Sequence, residues 1–352
     1  MKGLAVKYET LGLQDLEIGA RVGTFGRRTS FLKVSSGDEY ACSQRFWGSF
    51  CSRFQISETV FNYFSHEEVM KCIVDVVKGD GQVRICLVDN EGKKEVMALT
   101  NPASPVINPA DLELVLKEGK GTDLSYSNGS IRSNHFPKGD KDSFVLGANT
   151  ETFQRRFMME SPIDGYGKPK VFLGMLREVC SNGAVAMSPS FRTDITIGKN
   201  PYPMLRRAIS SFDNEDGFAA LKSRFTAAQN SPASINECLQ LFHLLEKITV
   251  KMDRAKLLEI FKEVTGNVAN MYGLANENVL SEKKQRVLPS KCRVYDLLNF
   301  ASEVATHKAA TTHDADRLHA FNGDIITRDY DLEETAKGKV KFQGRFLKAS
   351  NG

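Results

Sequence analysis

The chain is expected to adopt an α+β fold. A mixed helix and antiparallel-sheet region over residues 1–199 is followed by a mostly helical region over 200–322. A polar tail over 323–352 completes the chain, with one short strand expected at Val340–Phe346. Three observations predict this. Alternating apolar residues such as Val83, Ile85 and Leu87 mark strands in the first region. Asn128-Gly129, between LSYS and SIRSNHF, is a hairpin turn, because both central positions of a tight hairpin need positive φ. After Asn200 the apolar residues recur at helical spacing, and no Gly/Ser/Pro linker separates the two regions.

The elements follow in order. Residues 1–20 are an irregular lead-in, and 21–34 are strand material broken by Gly23 and Gly26. Ser43 can cap a helix that places Phe46, Trp47, Phe50 and Phe54 in one arc, with Arg53 in that arc and Arg45 beside it. Ser57 opens a short second helix. Ser65 and Glu68 have the spacing of a capping box for a third, with Val69, Ile73 and Val76 turned inward. Asp89-Asn90-Glu91-Gly92 turns one strand into the next, and Asp111–Glu118 is helical. Strands are expected over Ser143–Leu146 and Thr152–Met159. A Gly-rich lysine turn follows at Ile163–Lys170, then a short apolar helix stopping at Ser181-Asn182-Gly183.

In the second region Leu205, Ile209 and Phe212 space like a helix, as do Phe218, Leu221 and Phe225. Ser234 and Glu237 form another capping box. Asp253 caps a helix that Gly266 ends, and Val294, Leu297, Leu298 and Ala301 belong to another; residues 274–290 are polar and end in Pro289.

Composition bounds the function classes. With 41% hydrophobic and 26% charged residues the chain is composed like an ordinary globular protein. Its 47 basic and 43 acidic residues leave a net charge of +4, too balanced for a histone-like polyanion binder, though a local basic patch is a separate matter. Seven cysteines without a CxxC fit neither a disulfide framework nor a zinc ribbon; most are expected to be small buried apolar residues in a reducing cytoplasm. The N-terminus lacks the apolar core of a signal peptide, and no apolar run approaches the roughly 20 residues of a membrane helix.

The densest candidate chemistry lies in Thr152–Ile197. Arg155, Arg156 and Phe157, Lys168 of the turn, and Phe191 with Arg192 could together hold a polyanion, with Trp47 and Arg53 adding to them. Arginines bind phosphates, and aromatic faces stack on unpaired bases. The competing reading makes the aromatics core and the arginines their solvated neighbours. The turn lacks P-loop spacing, so a plain loop with exposed lysines competes with a phosphate cradle. His307, His313 and His319, near Asp314 and Asp316, raise a divalent metal against a solvated helix end. A thiol such as Cys180 at a helix C-terminus would not be activated, and no motif demands a cofactor or names a catalytic residue.

The strings QRFWGSFCSRFQISETVFNYFSHEEV, FQRRFMMESPIDGYGKP, VCSNGAVAMSPSFR and LLNFASEVATH resemble the domain-of-unknown-function family 932, the phage- or plasmid-like proteins, from about Gly26 to His307. The Cys180-Ser181-Asn182-Gly183 turn before a basic strand is the clearest marker. The resemblance implies a setting on mobile elements, whose neighbours handle DNA or counter host defence, and carries over no catalytic residue. The expectation is therefore a cytoplasmic, non-enzymatic protein that binds nucleic acid, including single-stranded DNA in replication or recombination. A self-associating assembly protein using the same aromatics as a homo-oligomer interface, and a metal-dependent enzyme near His313, are the alternatives.

Overall fold

A computed structural model of the chain describes residues 3–22, 28–34, 37–77, 81–137, 143–145, 152–177, 182–185, 191–212, 214–266 and 279–327. The expected strand at Val340–Phe346 and the Cys180-Ser181 pair lie outside these residues. The chain divides into two compact units. The first holds Met1–Ser133, Glu160–Pro169 and Asp194–Ala208; the second holds Asn134–Met159, Lys170–Thr193 and Ile209–Gly352. The α+β class expected from the sequence is what the structure has.

The first unit is built on a six-stranded sheet of β1 (Leu4–Gly12), β2 (Glu17–Val22), β3 (Arg28–Lys33), β4 (Glu39–Cys42), β5 (Gln82–Asn90) and β6 (Lys93–Thr100), in the order β1-β5-β6-β4-β3-β2. All pairs are antiparallel except β4 with β6. The two edge strands, β1 and β2, are consecutive in sequence and joined only by the 3-10 turn at Leu13–Asp15 and Leu16. Six flat strands would separate their edges by about 24 Å, and so short a link reaches about 18 Å at most. The sheet must therefore curl.

Its concave side is filled by α1 (Gln44–Phe54), whose Phe46, Trp47 and Phe50 pack with Leu32, Ile85 and Leu99. Ser43 caps α1 by accepting from the Phe46 amide and also donates to the Val96 carbonyl at 2.8 Å, tying the helix start to β6. The 3-10 turn Glu58–Asn62 and α2 (His66–Val76) follow, the latter with the expected Ser65–Glu68 capping box. The unit is completed by α3 (Pro109–Glu118), the hairpin of β7 (Thr122–Ser127) and β8 (Ser130–His135) as far as Ser133, and α4 (Tyr202–Ser210) as far as Ala208. Asn128 and Gly129 turn that hairpin with φ of 44° and 78°.

In the second unit β9 (Ser143–Val145), β10 (Thr152–Pro162, to Met159), β11 (Lys170–Arg177) and β12 (Asn182–Val185) pair in the order β12-β11-β10-β9. β13 (Arg192–Asp194, to Thr193) pairs with β11. Phe153, Leu173 and Met175 enter one core with α5 (Glu215–Asn230), α6 (Ile235–Lys247), α7 (Arg254–Val264), α9 (Val294–Glu303) and α10 (Thr312–Thr327), while the short α8 (Glu282–Val287) is flanked by Leu280 and Leu288, which pack against that core. A two-stranded sheet of β14 (Pro232–Ser234) and β15 (Pro289–Arg293) leads into α6 and α9.

Three expectations are overturned. Residues 1–20, expected to be an irregular lead-in, hold β1 and the start of β2, because Leu4–Gly12 pairs in unbroken register with β5. Val76, expected to turn inward on α2, is exposed. The apolar helix before Ser181-Asn182-Gly183 is the strand β11, antiparallel to β12, with Arg177 opposite Asn182. Val171 to Met175 are buried on both faces, and a run apolar all round has no periodicity by which to tell strand from helix.

Candidate nucleic-acid interface

Adjacent strand residues point to opposite faces, and this separates the arginine pair on β10. Arg155 shares the face of Phe153 and Phe157; its guanidinium lies 5.8 Å from the Phe218 ring centroid and 3.7 Å from the Glu215 carboxylate. Arg156 lies on the face of Met158, which packs with Phe172. The two cannot clamp one phosphate.

Nor are the aromatics open to bases, which corrects the stacking role expected of them. Phe157 is fully buried between His135, stacked at 5.3 Å, and Phe212 at 4.4 Å. Phe191 is 5% exposed and faces the Arg224 guanidinium at 5.5 Å. In the first unit Trp47 meets Phe46, Phe50 and Phe61 edge-on, and His66 stacks on its face at 4.0 Å. Periodic aromatics form core because burying them removes the largest apolar area from water. Arg192 is exposed on β13, while Arg53, beside the Phe54 ring, and Lys168 are exposed in the first unit.

The lysine turn is inward-looking except for Lys168. Asp164 has no exposed side-chain surface and is held by Arg45, whose Nε donates to Oδ2 and whose second nitrogen donates to Oδ1 at 3.2 Å and to the Tyr166 carbonyl. The Tyr166 amide donates to Asp164 Oδ1 at 2.9 Å, and the Tyr8 hydroxyl donates to the Ile163 carbonyl at 2.5 Å. Gly165, at φ 76°, lies against Arg84, where an added Cβ would stand 3.1 Å from the guanidinium; Arg84 in turn donates to the Pro102 and Ser104 carbonyls. Burial pushes the Asp164 carboxyl up, against the Arg45 bonds and backbone amides that pull it down, and burial likewise raises the Tyr8 and Tyr126 hydroxyls. The Tyr166 amide that could have met a phosphate is spent on Asp164. The turn is a plug in the first unit, not an anion cradle.

A run of exposed cations lies elsewhere in the sequence. Lys283, Lys284 and Arg286 are exposed on α8, and Lys291 and Arg293 are exposed on β15, alternating with buried Ser290 and Cys292. From 282 to 293 the single acid is Glu282. Arg293 is fixed by donation to the Gln229 carbonyl at 2.8 Å, and its amide donates to Asp296 at 2.7 Å. Gly266, at φ 73° past the end of α7, comes so close to Lys291 that a Cβ would lie 2.7 Å from its Cβ. These cations were legible as a lysine- and arginine-rich run, KKQR followed by KCR. A reading that took 274–290 as a polar connection ending at Pro289 passes over it.

Two other places fit a polyanion less well. A hollow of about 750 Å³ opens where the first unit's sheet curls, but Glu9, Asp15 and Glu17 line it with Lys7 and Lys33. At the start of α10 Asp314 accepts from the Thr311 hydroxyl at 2.6 Å, which in turn accepts from the Asp314 amide at 3.1 Å, so Thr311 caps the helix and this acid is engaged by the cap. Among the described residues no group of three or more His, Cys, Asp or Glu is placed to hold a metal ion, and no helix is long and apolar enough to cross a membrane.

No family model, curated protein or solved structure matches the chain.

Proposed function

We propose that the chain binds nucleic acid through the cationic face of α8 and β15, in the cytoplasm and in the service of a mobile element, the setting that its phage- and plasmid-like resemblance implies. The observation that carries this reading is the set of five exposed cations, Lys283, Lys284, Arg286, Lys291 and Arg293, with Glu282 the one acid among them. Phosphate attraction then supplies the affinity. With Trp47, Phe157 and Phe191 buried, base stacking contributes nothing at those residues, so binding is tolerant of sequence.

Fluorescence anisotropy of labelled single-stranded and duplex DNA across a salt series tests this. If all five cations meet phosphates, log K falls against log salt with a slope of about −4.5 on duplex and about −3.5 on single strands. Reversing the α8 charges (Lys283→Glu, Lys284→Glu, Arg286→Glu) is expected to abolish binding. A slope near zero, or a charge-reversed variant that binds like the parent, refutes the reading.

A further inference from the structure

Strand β15 carries a second piece of chemistry on its inner side. Cys292, between the outward Lys291 and Arg293, points into the second unit, where its Sγ lies 3.6 Å from Sγ of Cys238 in the first turn of α6. Both are free thiols and both are buried. The Ser290 hydroxyl lies 3.1 Å from Cys292 Sγ. The neighbouring thiol, donating to Cys292, holds it below the ordinary thiol range against its burial, with Ser290 adding to the effect. Cys238, as the donor and also buried, is pushed well up. The two sulfurs are thus within reach of one another, with the Ser290 hydroxyl beside Cys292.

We propose that Cys238 and Cys292 are a thiol pair that hydrogen peroxide converts to a disulfide, and that closing this bond withdraws the cationic strand β15 from its polyanion. The second half rests on the nucleic-acid reading above; the first does not. The Cys292 thiolate attacks one peroxide oxygen, the O–O bond breaks, and hydroxide leaves to take up a proton as water. Cys292 is then a sulfenic acid. The Cys238 thiolate attacks that sulfur, the S–S bond forms and the S–O bond breaks. The departing hydroxide takes the Cys238 proton as a second water. Two thiols have lost two electrons and the peroxide has gained them.

A disulfide sulfur pair stands at about 2.05 Å, so closure draws the two sulfurs together by about 1.5 Å. The cations on either side of Cys292 move with it. Because both thiols are buried, reaction waits on local opening of the short β14–β15 sheet.

The test uses the full chain, reduced and then exposed to stoichiometric hydrogen peroxide. Non-reducing peptide mapping is expected to show a Cys238–Cys292 cross-link that dithiothreitol reverses, with a change in hydrogen exchange over residues 288–294. DNA anisotropy on the same samples is expected to show a salt slope smaller by about 0.9 for each of Lys291 and Arg293 withdrawn from duplex phosphates. Cys292→Ala and Cys238→Ala are expected to lose the peroxide response while binding DNA as the reduced parent does. Oxidation confined to exposed Cys72, with no cross-link at Cys238, overturns the proposal. So does a cross-link that leaves both hydrogen exchange and DNA affinity unchanged. If the reduced parent binds no DNA while the cross-link and exchange change appear, the thiol pair stands and the nucleic-acid reading falls.

Discussion

Replacing Arg45 by methionine keeps most of the side-chain volume and removes the charge that faces Asp164. That carboxylate has no exposed surface, and the Arg45 side chain itself is only 20% exposed. After the substitution Asp164 would keep the Tyr166 amide at 2.9 Å and lose both guanidinium donors. Breaking a buried pair in this way costs about 3–5 kcal/mol, because an uncompensated charge is left in a low dielectric. Asp164→Asn in the same background removes that charge, and the double variant is expected to recover part of the loss, a coupling of about 0.5–3 kcal/mol. Urea unfolding followed by fluorescence is well placed to measure this. The single tryptophan, Trp47, is buried in the same unit as the pair. A cost for Arg45→Met under about 1 kcal/mol, the range of exposed ion pairs, would refute the account of the turn as a buried plug.

Further outcomes follow from single groups. Burial raises the Asp164 carboxyl above the ordinary 3.8 of an aspartate, so the native state holds this proton longer than the unfolded chain does. Its contribution to stability is therefore full below pH 3.8 and is lost as pH rises through the folded pKa, and Asp164→Asn should flatten this part of a stability–pH curve. His66, stacked on Trp47 and hydrogen-bonded to Ser30, is lowered from 6.5 by burial. Its contribution is present above pH 6.5 and lost as pH falls, and His66→Gln should remove that acid-side slope in the Trp47 signal. Gly129→Ala is expected to cost more than the about 1–2 kcal/mol of a left-handed residue. Its Cβ would stand 2.7 Å from Asp164 Oδ2, and urea titration would show the excess. Ser234→Ala removes the acceptor of the Glu237 amide in a fully buried cap and should cost about 1–2 kcal/mol by thermal or urea unfolding followed by circular dichroism.

The features that were legible in the sequence are short-range ones. Ser43, Ser65 with Glu68, Ser234 with Glu237, and Asp253 cap helices where the residue types and spacings place them. Asn128-Gly129 turns its hairpin, and Phe218, Leu221 and Phe225 line a buried helix face. Each depends on hydrogen bonds or periodicities spanning a few residues, so the local sequence contains the whole interaction. The basic run from Lys283 to Arg293 was equally open to inspection, since charge needs no fold to be counted.

Other features depended on partners distant in the chain. Whether KVFLGML became strand or helix was decided by its pairing with β10 and β12, because an apolar run without periodicity suits either. Whether Trp47, Phe157 and Phe191 offered a face to a base was decided by what packed on them. An Arg-aromatic string reads the same whether its rings are core or platform.

By itself, then, the sequence determined the α+β class, the caps and turns, and the existence of a cationic run. The tertiary structure alone decided that Asp164 meets Arg45 across 119 positions and that Cys238 meets Cys292 across 54. The physical reason is range: backbone caps and periodicity act within a turn of chain, whereas burial, ion pairing and thiol proximity belong to the packed state and have no local signature.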